Sequence, residues 1–223
     1  MTAVRDRVTT VRRLRRNAPR TVELAGVIGF LLVTTLTVFM ILPNGATSVS
    51  GVFWRDWTAT EYGPLGPADV DMLIKVRQAG LWEIPVGQQA ADRGQSPRVL
   101  EVGATIADDH MLMDEQVRDV AARLDVRLPS APSDDQQRWM DELSGLSGAA
   151  WDRTFADRLR FAHGNVLMVL ADVRAGTRND LIRSFCQHAI LMVMRHMTLL
   201  ESTGLVDYGA LPEPRPPERR PEP

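Results

Sequence analysis

Apolar residues recur at steps of three and four along four long stretches of the chain, which is the spacing of one face of an α-helix. In the second stretch the pattern runs from Val99 to Leu124, and seven of its eight positions are apolar while the eighth is His110. The other stretches cover about residues 67–93, 148–176 and 177–204, and a short amphipathic helix follows Ser133. No stretch shows the alternation typical of a strand. The pattern therefore predicts an all-α protein, with an antiparallel four-helix bundle at residues 67–208.

One further apolar stretch has a different character. Leu24 to Leu42 is 19 residues long without a charge, and a helix of that length spans about 28 Å, close to the hydrocarbon thickness of a bilayer. Seven Arg precede it within residues 1–20, and such an excess of positive charge predicts a cytoplasmic N-terminus. We therefore predict a basic cytoplasmic arm at residues 1–21 and a transmembrane anchor at 22–42. The bundle would then be extracytoplasmic, on a single-pass protein of the cell membrane.

A cleaved signal peptide, which would leave a secreted protein, is the alternative to this anchor. The apolar run is longer than the usual signal sequence, and no A-x-A cleavage site follows Pro43. Residues 43–66 are rich in Gly, Ser, Thr and Pro and are predicted to form a linker. The linker contains Trp54 and Trp57, which either lie among the lipid headgroups of the membrane or pack onto the bundle. Residues 209–223 are Pro-rich and predicted to be disordered.

Three histidines lie at similar depths in three of the predicted helices. Neighbouring antiparallel helices meet near their middles, so His110, His163 and His196 are expected in one layer of the bundle, together with Glu83 of the first helix. A carboxylate and three imidazoles suit Zn, Fe or Cu. The alternative is that these side chains are polar core groups that hydrogen-bond one another. Asp109 diverges from its neighbour His110 on the helix, but it can orient a histidine of another helix.

Other kinds of chemistry find little support in the sequence. The di-iron bundles use a Glu-x-x-His step, whereas Ala107, Arg160 and Val193 stand three residues before the three layer histidines, so a di-iron centre is disfavoured. The common hydrolase, nucleotide-binding and thiol-redox motifs are missing from the sequence. The net charge is −2, which gives no reason to expect a nucleic-acid partner, and no protein partner is indicated. These features favour a protein that works by binding rather than by catalysis.

Several short motifs resemble one bacterial family, the domain of unknown function 4142. They are Val99–Gly103, Asp109-His110, Gly145–Asp152, Ala162-His163, Phe185 with His196 eleven residues later, and Glu83 with Gly87 four residues later. The sequence departs from the family pattern at Ala162, where an Asp often stands, at Pro85 and at Cys186.

The resemblance implies a ferritin-like four-helix bundle, exported or tethered to the membrane, but it supplies no reaction. We therefore expect a membrane-anchored, non-enzymatic envelope or stress-related binding protein. The alternative is a metal-binding bundle that uses Glu83, His110, His163 and His196 as ligands.

Overall fold

The computed structural model describes residues 56–214. These residues form five α-helices followed by one 3-10 turn at Tyr208–Ala210: α1 (Pro67–Arg93), α2 (Pro97–Arg123), α3 (Asp134–Ser144), α4 (Gly148–Gly176) and α5 (Asp180–Glu201). Over this range there is no strand, and the only β-type pairing is an isolated bridge between Thr58 and Leu65. The all-α prediction is confirmed for this part of the chain.

The predicted basic arm, the anchor at 22–42 and the linker as far as residue 55 lie outside the described residues, as does the tail from residue 215. Among the helices that are described, none is both long and apolar enough to cross a bilayer.

Contacts at the two ends of the bundle define the direction of each helix. The carboxylate of Asp152, near the start of α4, accepts hydrogen bonds from the backbone of Gln95 and Ser96 in the α1–α2 turn. Asn179, which caps the start of α5, donates to Thr60 and Gly63 just before α1. Consequently α1 and α5 start at one end, and α2 and α4 start at the other.

All four neighbouring pairs, α1 with α2, α4 with α5, α1 with α4 and α2 with α5, are therefore antiparallel. The connection from α2 to α4 must cross the length of the bundle, and it carries α3, which packs against α1 and α4. A four-helix bundle with one long crossover has the connectivity of ferritin-like folds.

Helices α1 and α2 pack with their backbones unusually close. A Cβ atom placed on Gly87 would lie 2.6 Å from the carbonyl oxygen of Gly103, and one on Gly103 would lie 2.5 Å from the Cβ of Ala90. Such distances are below ordinary van der Waals contact, so only glycine fits without a shift of the helices. Because Gly87 lies one turn after Glu83, this contact draws Glu83 towards α2.

The segment that precedes α1 is packed against the bundle, although the sequence pattern assigns it to the linker at 43–66. Leu65 is buried in the core, and the ring of Trp57 lies against Gly66. The guanidinium carbon of Arg178 lies over the Trp57 ring, 5.2 Å from its centroid. The segment is short and has no apolar periodicity, so the pattern of the sequence carried no sign of this packing. Of the two positions considered for Trp57, packing onto the domain is the one observed.

The core face of α5 differs from the predicted stripe. We expected Leu181, His188, Met192 and Leu199 to face the core beside Phe185 and His196, but His188 is exposed and the other three are only partly buried. The buried face instead carries Ile182, Phe185, Cys186, Ala189, Val193, His196 and Leu200. Apolar residues of α5 lie on most sides of the helix. Two choices of core face that differ by one position along the chain therefore fit its sequence almost equally well.

Candidate metal centre

A polar layer separates two apolar clusters in the middle of the bundle. One cluster contains Leu73, Met113 and Leu170, and the other contains Trp82, Ile106 and Phe155. Between them lie four side chains from four helices that are at most 4% exposed: Glu83 of α1, His110 of α2, His163 of α4 and His196 of α5. The structure thus brings together every residue that the sequence analysis assigned to the layer.

The potential ligand atoms of these side chains face one another. Nε2 of His163 lies 3.0 Å from Nδ1 of His196 and 3.4 Å from Oε2 of Glu83. Nε2 of His110 lies 3.0 Å from the same carboxylate oxygen. The ligand nitrogens of the three histidines all lie within 4.8 Å of one another. Four donor atoms therefore surround one small volume.

The outward-facing nitrogens of two histidines are held by acceptors. Nδ1 of His163 lies 2.8 Å from the carbonyl oxygen of Leu159, one turn earlier in α4. Nε2 of His196 lies 2.8 Å from Oδ2 of Asp109. The same oxygen forms an ion pair with Nη1 of Arg195 at 2.9 Å. A carbonyl and a carboxylate accept hydrogen bonds, so these two ring nitrogens carry the protons. In the neutral rings, Nε2 of His163 and Nδ1 of His196 then present lone pairs to the centre.

Burial keeps these rings in the neutral form. It lowers the pKa of His163, although the Glu83 charge opposes the change. It also lowers the pKa of His196 to about 4; His163 and His110 lower it further, while the hydrogen bond to Asp109 acts in the opposite direction. A neutral imidazole is the form that binds metals.

Glu83 is held as a carboxylate in the same layer. Burial raises the pKa of Glu83, but its contacts with His163, His110 and His196 outweigh burial and hold this pKa below its ordinary value. The site therefore combines the negative charge of Glu83 with the neutral imidazoles of His163 and His196 at neutral pH.

Several buried polar atoms of the layer have no hydrogen-bond partner among the described residues. Although Nε2 of His110 and Oε2 of Glu83 are close, their approach is not that of a hydrogen bond. Oε2 and both ring nitrogens of His110 are buried without a hydrogen-bond partner among the described residues. Buried polar atoms nearly always have a partner, and an unmet one costs roughly 1–3 kcal/mol. A ligand is therefore a physically reasonable addition at this position.

The donor set and its spacing suit a divalent transition metal. With bond lengths near 2.1 Å, two ligands of a tetrahedral ion lie about 3.4 Å apart, and three pairs here lie 3.0–3.4 Å apart. The histidine nitrogens all lie within 4.8 Å of one another, so the widest pair must approach by up to about 1.4 Å to bind one such ion. Imidazole suits Zn, Cu, Fe and Ni, so the residues fit such an ion without selecting one.

Sequence reasoning located the layer but not all of its supports. Counting positions from the helix starts placed Glu83 and the three histidines at one depth. It also left open which histidine Asp109 would orient, and the structure brings it to His196. Arg195, which pairs with Asp109, and the carbonyl of Leu159 were missed. The Leu159 contact was available from helix geometry, since it lies four residues before His163.

The fourth histidine is not part of the layer. His188 is exposed and lines a surface groove between α2 and α5 with Glu115 and Asp119. It therefore offers a natural control for tests of the buried three.

Comparison with known protein families matches residues 58–202 to the family described as Domain of unknown function, DUF4142. The match covers more than half of the chain. The chain belongs to the DUF4142 family. Comparison with curated proteins and with solved structures found no match. The family carries no assigned activity, so the function has to be argued from the site.

Proposed function

We propose that this DUF4142 protein binds one divalent transition-metal ion in the centre of its bundle. The ligands would be Oε2 of Glu83, Nε2 of His110, Nε2 of His163 and Nδ1 of His196. The ion would be Zn²⁺, Fe²⁺ or Cu²⁺, since imidazole and carboxylate bind all three.

The observation that carries this proposal is the arrangement of lone pairs. Hydrogen-bonded protons point away from the centre on His163 and His196, as in proteins whose metal-bound histidines donate their second N–H to a carbonyl or a carboxylate. A proton shared by these two rings would relieve the repulsion between their lone pairs. It would still leave Glu83 and His110 without partners. A metal ion would bind Oε2 of Glu83 and one nitrogen of each histidine at once, which favours metal binding over a purely hydrogen-bonded core.

The test is the metal content of the purified full-length chain. After treatment with a chelator, the protein is incubated separately with Zn²⁺, Fe²⁺ under anaerobic conditions and Cu²⁺, and bound metal is measured by elemental analysis. We expect one of these ions to bind at about one per chain, with His163→Ala losing it and His188→Ala retaining it. Equal metal content in the two variants, or no bound ion in the wild type, would refute the proposal.

We further propose that the protein acts as a binding protein in the cell envelope, with its bundle outside the membrane. The support for this setting is the uncharged run Leu24–Leu42 behind an Arg-rich arm. We expect the mature protein still to contain residues 5–20. We also expect protease added to spheroplasts to digest the bundle while the cytoplasm stays protected. A mature N-terminus after residue 42 would instead support secretion.

A further inference from the structure

An uncharged face runs along the outside of α4 and α5. The two helices contact each other through Arg160 and Glu201 near one end, and through Arg174 and Gln187 near the other. Between these contacts, residues at steps of three and four lie on the same side of each helix. We call these residues the apolar face: Leu167, Met168 and Ala171 of α4, and Ile190, Leu191 and Met194 of α5.

The apolar face is open to solvent. Met168, Leu191 and Met194 are each about half exposed, and they make up half of the large apolar side chains that are exposed among residues 56–214. The face is about 20 Å long, which is the rise of an α-helix from Arg160 to Arg174, and it is two helices wide. Contiguous apolar patches of roughly several hundred Å² on a protein surface often mark an interaction site.

The charges at one end of the apolar face suit a second copy of the same face. In a pair whose two-fold axis runs along the bundle, α4 of each copy faces α5 of the other at the same level. Arg160 then lies beside the partner's Glu201, and Glu201 lies beside the partner's Arg160. A two-fold axis across the helices would instead bring Arg160 towards the partner's Arg174, which has the same charge. The charges therefore favour the parallel pair.

The shapes of the two helices are complementary in the same arrangement. Because His163 contacts His196, its neighbour Gly164 lies nearly level with Met194 of α5. A Cβ atom placed on Gly164 would have only the Arg160 side chain within 4 Å, apart from the backbone of its own helix. The described residues thus leave a space above Gly164, and the long side chain of the partner's Met194 can enter it.

We propose that two copies of this chain bind each other through their apolar faces, with the two-fold axis along the bundle. This axis keeps residues 56–66 of both copies at one end of the pair, as two anchors in one membrane require. A standard interface buries about 800 Å² of each partner, and the apolar face is smaller. The dimer is therefore weak in solution and is strengthened where both copies are held in one membrane. The inference does not depend on the proposed metal binding.

Cross-linking tests which residues meet. Full-length Met168→Cys and Leu191→Cys chains, each with its own tag, are expressed together, and the purified mixture is treated with a short bismaleimide. We expect a linked pair that contains one chain of each variant, because Met168 lies level with the partner's Leu191. Most of this product should be lost when either variant is expressed alone. The buried Cys186 is common to all variants and does not distinguish them.

Leu112 provides the matched control. It is 60% exposed and Leu191 is 58% exposed, but Leu112 lies on the outer side of α2 among charged residues such as Asp108 and Glu115. A mixture of Met168→Cys and Leu112→Cys should therefore give no linked pair.

The strength of the pairing is measured by analytical ultracentrifugation of the full-length chain over a range of concentrations. Leu191→Glu would bury an unpaired charge from each copy in the interface, so we expect the Kd of the dimer to rise by about tenfold or more. Leu112→Glu introduces the same charge at an equally exposed position of another face and should leave the Kd unchanged. Both positions are exposed, so both variants should keep the helical content of the wild type, which circular dichroism verifies.

Three results would overturn the inference. A wild-type chain that stays monomeric at every concentration and forms no linked pair would leave the apolar face to a different partner. A dimer that Leu191→Glu does not weaken would place the contact elsewhere, for example within Leu24–Leu42. Equal yields of linked pairs from Met168→Cys alone and from the mixture would exclude the parallel arrangement. Leu191→Glu should bind as much metal as the wild type, so a failure of pairing and a failure of metal binding are distinguishable.

Discussion

At the residue level, the central question is why a buried core holds a carboxylate against three imidazoles. Removing ionisable groups from water costs several kcal/mol per charge unless each group finds partners. Here His163 and His196 have partners on their outer side, while Glu83 and His110 lack them on the inner side. The outer hydrogen bonds orient the rings, and the unpaired atoms on the inner side are the basis for the proposed ion.

Asp109 is the residue that most directly tests this orientation. Asp109→Asn keeps an acceptor for the Nε2 proton of His196 but removes the negative charge that makes the ring a stronger donor to a metal. We expect the metal affinity to fall by about 10–100-fold, as for other carboxylates that support metal-bound histidine. The measurement is a competition titration against a chromophoric chelator.

Its matched control is the adjacent residue. Asp108 is exposed and carries the same charge at nearly the same distance along α2, so Asp108→Asn reports the general electrostatic effect. Equal affinities for the two variants would show that the contact between Asp109 and His196 does not support metal binding.

Cys186 allows a separate test of the apolar cluster that contains Leu73, Met113 and Leu170. Burial raises the pKa of its thiol to about 12, with the Asp69 charge contributing, from an ordinary value of 9.0. This is a difference of three pH units, so at pH 8 the folded chain should contain about a thousandfold less thiolate than the unfolded chain. We expect iodoacetamide to alkylate the native protein at least that much more slowly than the protein in urea.

The direction of the pH effect on stability follows from the same shift. The folded state retains the Cys186 proton above pH 9.0, where the unfolded chain loses it. This thiol therefore costs stability as the pH rises beyond 9.0, and below that value it has no effect. Rapid alkylation of the native protein at pH 8 would contradict the buried position of Cys186.

At the level of the helices, the sequence predicted α2 best. All eight positions of its predicted stripe are buried, because charged residues such as Glu101, Asp108 and Glu115 flank the stripe and leave only one compatible core face. The same regularity made the depth argument work, because the rise per residue is constant along a helix. On α5 apolar residues such as Leu191 and Met194 are also exposed. Phe185 and His196 are buried as predicted, but the other four predicted positions each lie one residue before a buried one.

Features that depend on contacts distant in sequence were not predictable from periodicity. The packing of residues 56–66 rests on Leu65 and on hydrogen bonds to Asn179, which lies more than a hundred residues later. The position of α3 across α1 and α4 follows from the direction of α4 rather than from any local pattern.

Two glycines of α1 provide a test of the close α1–α2 packing. Gly87→Ala would place Cβ 2.6 Å from a backbone oxygen of α2, and the helices must separate to admit it. We expect a loss of about 1–3 kcal/mol in the free energy of unfolding, the usual cost of overpacking. Urea denaturation followed by circular dichroism measures it.

Gly80 of the same helix is the control. A Cβ at Gly80 would lie 3.5 Å from its nearest neighbour, an Asp114 carboxylate oxygen, which is ordinary contact. Gly80→Ala should therefore stabilise the protein by roughly 0.5–1 kcal/mol, because alanine loses less backbone entropy in a helix than glycine. If Gly87→Ala were as stable as Gly80→Ala, the close approach of the two helices would not hold in solution.

At the level of the described domain, the polar layer of Glu83 and the three histidines divides the core into two apolar clusters. All four long helices contribute one residue to the layer and further residues to both clusters. An ion in this position would link the four helices at their midpoints. Its effect on stability should therefore reach the whole bundle rather than one helix pair.

We accordingly expect metal binding to raise the stability of the entire bundle in one cooperative transition. An ion that binds the folded state alone contributes about 2.7 kcal/mol when its free concentration is a hundred times Kd. Thermal unfolding of the metal-free chain, repeated with increasing concentrations of the ion identified by elemental analysis, should show a Tm that rises with the logarithm of the free metal concentration.

His188→Ala should follow the wild-type curve, since His188 is exposed and distant from the layer. His163→Ala should keep a constant Tm at all metal concentrations, because it lacks the ligand that faces both Glu83 and His196. A rise in Tm that is equal in both variants would place the stabilising ion elsewhere on the protein, whereas a selective loss in His163→Ala ties the stability of the bundle to its central layer.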